Sequence, residues 1–254
     1  MNLNAERPVV VAIGNSHINA VLTASKAAGA PVQLKCLQFL TAAYTPYWIT
    51  EDGVRRPNRQ YLAHARDLIE REKPVAVICF AASNLSFDVG SVRRPRPFDF
   101  VLPSHQDLPL YADEIIPHDL IMERALAAER EWGQLMGPAM GLPVWSVCSP
   151  APIVSFDPFL PKMVHQIKNT IAVYGVAPDT FRRKMWLLQT EANRRVAQEF
   201  GAAFLDPPPE TMNDAGLRPI EYAHDPLHGN TAYGRLVLQQ IANIIEREDS
   251  HAPL

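Results

Sequence analysis

An alternation constrains this chain more than anything else in it. Short apolar runs rich in β-branched residues recur at 8–13, 32–40, 75–81, 143–148 and 202–205. Helical patterns lie between most of them, at about 17–28, 58–72, 119–136, 179–200 and 230–247, with a shorter one at 161–174. Strands separated by helices cannot pair as hairpins, so each connection must cross over. The expectation is therefore α/β: a parallel sheet with helices on both faces. With 254 residues, 47% of them hydrophobic, the chain is long enough for one sizeable core. No internal repeat or low-complexity linker interrupts it, which predicts one domain over 1–254.

Two stretches break the pattern: 83–117, rich in proline and aromatic residues, and 149–160, "SPAPIVSFDPFL". Both follow predicted strands, so both should emerge at the carboxyl edge of the sheet, where open α/β folds bind ligands.

Charge and cysteine content exclude several classes. A formal net charge of -3 gives no global reason to bind nucleic acid, and the basic stretches "SVRRPRP" and "FRRKMW" read as solvated faces. No apolar run is long enough to span a bilayer, and "MNLNAERPVVVAIGN" lacks the features of a secretory leader, so the expected location is the cytoplasm. Cys36, Cys79 and Cys148 lie in strand-like runs without metal-ligand spacing, which suits reduced core thiols. The eight histidines are scattered, and neither a metal nor another cofactor is expected.

Three places carry chemistry. In "VVVAIGNSHINAVLTA" a buried strand ends at Gly14 and Ser16 stands at the start of a helix, where it is either an N-cap or a nucleophile. In "HDPLHGNTAYGRLVLQQI" Asp225 and His228 are three apart before an amphipathic helix. Placed in a helical turn, that spacing puts both on one face, so the carboxylate can hold an imidazole nitrogen; the alternative is a capping turn with a solvated histidine. In "AVICFAASNLSFD" Asn84 leaves the third strand, as a turn residue or as an amide able to donate to an oxyanion. His17 follows Ser16 and could line a pocket, although a helix-start histidine facing solvent is the commoner case; His224, beside Asp225, has the same two readings, and Tyr233 and Gly234 read as packing for the last helix.

In that order along nearly the whole chain, these motifs resemble the SGNH hydrolases, the GDSL esterase and lipase superfamily. The resemblance implies a flavodoxin-like three-layer α/β/α sandwich with a central five-stranded parallel sheet. It also implies Ser16 as nucleophile, His228 as general base and Asp225 as its orienting acid. The oxyanion hole would be Asn84, the Ser16 N–H and a glycine after strand two, for which Gly53 is the candidate; a plain turn glycine is the other reading of Gly53. "GNSH" and "DPLHGNTAYG" look most like SGNH domains that handle O-acetyl groups on bacterial glycans. The family usually has Asp where this chain has Asn15. The implied activity is hydrolysis of short-chain or acetyl esters, on a small molecule or a glycan, through an acyl-enzyme. The alternatives are transfer of the acyl group to a sugar hydroxyl, and a non-catalytic glycan- or partner-binding protein of the same fold.

Overall fold

The computed structural model describes residues 7–249. The leader expectation rests partly on residues 1–6, which lie outside them. Five parallel strands form the sheet: β1 (Val9–Gly14), β2 (Gln33–Gln38), β5 (Ala76–Phe80), β8 (Val144–Val147) and β9 (Ala203–Leu205). Their order is β2-β1-β5-β8-β9, with every pairing parallel. Counting these strands alone, the order is 2-1-3-4-5, the doubly wound flavodoxin-like arrangement. All five predicted strands are present.

Helices cover both faces. On one, α1 (Ile18–Ser25) packs with α7 (Thr231–Asp249), and Ile18, Val21, Val237 and Ile241 bury against Val10, Ala12 and Ile78. On the other, α2 (Arg59–Glu72), α4 (His118–Gly133) and α6 (Asp179–Glu199) enclose Val11, Ile13, Val77 and Cys79. Alternate residues of β1 thus serve the two cores, as the pleat requires. A further helix, α5 (His165–Tyr174), matches the short predicted one.

The irregular segment 83–117 contains α3 (Leu85–Gly90) and two short paired strands, β6 (Phe98–Asp99) and β7 (Glu114–Ile115). It is pinned to α6 by a buried ion pair, Lys184 Nζ to Asp99 Oδ1 at 3.0 Å, and Lys184 also donates to the Phe100 carbonyl. The alternation did not anticipate a hairpin of β3 (Trp48–Glu51) and β4 (Val54–Pro57), inserted between β2 and α2. Among the described residues no helix is long and apolar enough to cross a membrane.

Candidate active site

The site begins where β1 and β5, neighbours in the sheet, end side by side. Gly14 is paired with Phe80, and a Cβ on Gly14 would lie 2.3 Å from the Phe80 carbonyl oxygen, so only glycine lets the strands part at this point. Asn15 then ties the two outgoing loops together. Its N–H donates to the Phe80 carbonyl at 2.9 Å and its Nδ2 to the Ala82 carbonyl at 2.7 Å, while its Oδ1 accepts from the His17 N–H at 3.0 Å. Ser16 and Asn84 therefore emerge from adjacent strand ends, at the switch point of the strand order.

Ser16 does not cap α1, which starts at Ile18 with no side-chain cap bond. Its hydroxyl instead lies 2.7 Å from His228 Nε2. On the far side of the ring, Nδ1 is 2.8 Å from Asp225 Oδ2, which places the ring proton on Nδ1 and leaves Nε2 to accept from the serine. The other carboxylate oxygen of Asp225 accepts the N–H groups of Leu227 at 2.8 Å and His228 at 2.7 Å. Residues 225–228 thus form a non-helical bend closed by the aspartate's own side chain, and the expected helical turn is replaced by this local anchoring. Partial burial works against ionisation of Asp225, but the hydrogen bonds and charge of His228 outweigh it and draw the carboxyl down to about 2. The Ser16 N–H has no protein acceptor among the described residues.

His17 and Gly53 each have two readings in the sequence, and the structure places both. His17 does not face solvent: it is 6% exposed, with its ring centroid 5.0 Å from that of His228. Burial, then the His228 and Arg218 charges, lower its pKa to about 3 against a weaker opposing influence of Asn84, so the ring is neutral. Gly53 sits with Asp52 at the tip of the β3–β4 hairpin, where their φ values of 76° and 51° form the two-residue turn that demands glycine, the plain turn reading of this residue. It lines none of the three cavities at Ser16 and Asn84.

Arg218 was not singled out from the sequence. Its side chain is fully buried, and Nη2 donates to the carbonyls of Pro226 at 2.9 Å and Asp225 at 3.3 Å. Its backbone bonds Pro152 and Val154, coupling segment 149–160 to the bend that holds His228. Beneath that bend, Tyr233 is buried and a Cβ on Gly229 would meet its ring. His224 is exposed, the commoner of its two readings.

Three cavities adjoin Ser16 or Asn84. One, of about 20 Å³, is bounded by Asn84, Phe87, Pro150, Ile153, Phe156 and Leu227. Another, of about 410 Å³, is lined by Ser16, Asn19, Thr23, His224, His228 and Thr231 among others. The third, of about 330 Å³, is lined by Asn84 together with Trp48, Arg55, Leu85, Asp88 and Glu131 among others. Burial pushes the thiols of Cys36 and Cys148 up to about 12 and that of Cys79 higher still, so none competes as a nucleophile. Among the described residues no His, Cys, Asp and Glu side chains group as a metal site.

No family model matches the chain, and no curated protein matches it. Solved structures with a similar chain path include a GDSL-like lipase from Bacteroides thetaiotaomicron VPI-5482, with 12% identity, 95% of this chain and 89% of that one covered, and a TM-score of 0.43. Another is Est24, a carbohydrate acetylesterase from Sinorhizobium meliloti, with 12% identity, 95% and 99% covered, and a TM-score of 0.45. A third is the native M. smegmatis aryl esterase, with 12% identity, 96% and 99% covered, and a TM-score of 0.44. Likeness at these levels decides nothing about activity, which has to be read from the site.

Proposed function

We propose that the protein is a serine ester hydrolase of SGNH type, with Ser16, His228 and Asp225 as its triad. The observation that carries this reading is the continuous chain from Ser16 Oγ through the His228 ring to Asp225 Oδ2, with links of 2.7 and 2.8 Å, at the carboxyl edge of the sheet. A serine hydroxyl is a poor nucleophile near neutral pH, so His228 Nε2 takes its proton as Oγ attacks the ester carbonyl, and Asp225 stabilises the imidazolium. The negative charge that forms on the carbonyl oxygen is met by the Ser16 N–H and the Asn84 amide, each such donor contributing about 2.7–4 kcal/mol. His228 returns the proton to the leaving alcohol oxygen. Water, deprotonated by the same ring, then attacks the acyl-serine, and the second tetrahedral intermediate collapses to acid and free Ser16.

The smallest of these cavities, beside Asn84, and the one at Ser16 support a finer assignment. The leaving oxygen must face His228, so the alcohol occupies the larger cavity and the acyl chain lies on the Asn84 side. A space of about 20 Å³ accepts the centre of roughly one water-sized group, which suits the methyl of an acetyl ester. The larger cavity presents amide, hydroxyl and imidazole groups from Asn19, Thr23, Thr231 and His224, which suits a polar, hydroxylated alcohol such as a sugar.

Labelling with a fluorophosphonate tests the nucleophile: modification of Ser16, abolished in His228→Ala, is expected. Nitrophenyl esters test the acyl side, with kcat/KM falling at least tenfold from acetyl to hexanoyl. A Ser16→Ala protein that keeps more than about a tenth of wild-type turnover overturns the assignment and favours a binding role.

A further inference from the structure

Asn84 stands on a turn held from beneath by a buried acid. Glu129 of α4 is 0% exposed, and its hydrogen bonds go to neutral groups. Its Oε2 accepts the Ser83 N–H at 3.1 Å and Asn193 Nδ2 at 2.9 Å, and its Oε1 meets the Ser83 hydroxyl. From α6, Gln189 Oε1 accepts the Ser86 N–H at 2.8 Å and its Nε2 donates to the Ser83 carbonyl. Asn193 is held in turn by Ser146 of β8, whose hydroxyl donates to Oδ1 at 3.1 Å. The backbone on both sides of Asn84 is thereby fixed to two helices and the sheet.

We propose that Glu129 is a positioning residue for ester hydrolysis: by gripping the Ser83 N–H and hydroxyl, it holds the Asn84 amide where the oxyanion forms. This rests on the reading of Asn84 as an oxyanion donor. One oxygen-bearing group has to meet both Ser83 donors from a helix across the core, and a carboxyl reaches them together. Apolar side chains there would strand both, a cost of a kind that turns rarely tolerate. Burial pushes the Glu129 pKa up, against the hydrogen bonds from Ser83 and Asn193.

A double-mutant cycle on acetyl-ester turnover tests it. Glu129→Leu should lower kcat about 10- to 100-fold and leave KM within about twofold, because the lost interaction acts in the transition state. Added to Asn84→Ala, it should cost little more, since both changes remove the same donor. Glu129→Gln, of the same shape, should stay within about threefold of wild type, since its oxygen in the Oε2 place keeps the bonds to the Ser83 N–H and Asn193 and its NH₂ in the Oε1 place can donate to the Ser83 hydroxyl oxygen. Effects that multiply in the double mutant, a normal kcat in Glu129→Leu, or a Glu129→Gln as slow as Glu129→Leu would each overturn the proposal. Should Glu129→Leu fail to fold, Ser83→Ala replaces it in the cycle, since it keeps the backbone N–H bond and removes only the hydroxyl. The same non-additivity is expected there, and multiplication again overturns the proposal. An Asn84→Ala protein with unchanged kcat would instead overturn the oxyanion reading itself, an outcome distinct from the others.

Discussion

Replacing Asn15 with aspartate, the residue usual in the family that the sequence resembles, should weaken this protein in a pH-dependent way. Asn15 is 2% exposed, and both ends of its amide are in use: Nδ2 donates to the Ala82 carbonyl at 2.7 Å and Oδ1 accepts from the His17 N–H at 3.0 Å. An aspartate keeps the second bond and sets its other oxygen against the Ala82 carbonyl, acceptor to acceptor, unless that oxygen carries a proton. The folded state therefore holds the proton more tightly than the unfolded chain, whose pKa is about 3.9. Below that pH both states are protonated and the variant matches wild type. Above it only the unfolded state gives up the proton, so stability falls by about 1.36 kcal/mol per pH unit until the folded state ionises too. A buried acceptor left without its donor costs about 1–3 kcal/mol, and more for a charged one, so a deficit of about 2–4 kcal/mol by pH 7 is expected. For a domain of this size that lowers the melting temperature by roughly 5–15 °C. Melting curves followed by circular dichroism at pH 7.5 and pH 4.5, each against wild type at the same pH, measure it. Equal deficits at the two pH values, or a variant as stable as wild type at pH 7.5, would refute the reasoning.

Three further outcomes are expected. Asp225→Asn should lower kcat by about 10³-fold or more, because the new amide faces His228 Nδ1 and moves the ring proton to Nε2, where Ser16 needs an acceptor; near-normal steady-state turnover would contradict it. Gly234→Ala should cost about 1–3 kcal/mol in urea unfolding, since its Cβ would lie 2.1 Å from the Ala20 carbonyl oxygen and force α7 away from α1; an unchanged midpoint would count against that contact. Ester hydrolysis should survive dialysis against EDTA and phenanthroline, because a serine triad needs no Lewis acid; loss of activity that zinc or manganese restores would contradict the triad mechanism.

The fold was legible because strand and helix periodicity are local. Every predicted strand and helix is present, and the parallel direction of the strands follows from the crossover connections, while their order was implied by the family resemblance. Ser16, Asp225 and His228 were legible as residue types at turns, although their meeting across 212 positions is a property of the sheet and not of any window of sequence. The β3–β4 hairpin had its own signal, the Asp52-Gly53 pair, which is a strong two-residue turn motif. The resemblance to the SGNH hydrolases makes Gly53 a candidate oxyanion glycine because it follows strand two, and the plain turn reading beside it is the one that matches the hairpin. The one local signal for the burial of His17 is its place after Ser16, since its ring is buried against His228 from the far end of the chain.

Glu129 and its partners show where a signal existed and what it means. In α4 the buried positions are Ile121, Met122, Ala125, Glu129 and Gly133, a stripe at helical spacing with one acid in it. In α6 the stripe through Met185, Leu188, Ala192 and Val196 also takes in Gln189 and Asn193. A charged or amide side chain on the apolar face of an amphipathic helix looks like noise in a count of hydrophobic residues. Physically it is the opposite, because burying it without partners costs several kcal/mol, so a fold that keeps it there supplies those partners. Two such helices facing one another, each with polar residues at stripe positions, imply a shared buried network. The groups left for that network to hold are the backbone donors and acceptors of an irregular segment that no strand or helix satisfies. Here that segment is the turn of Ser83, Asn84 and Ser86, so the same rule that flags the acid on its helix leads to the loop it anchors.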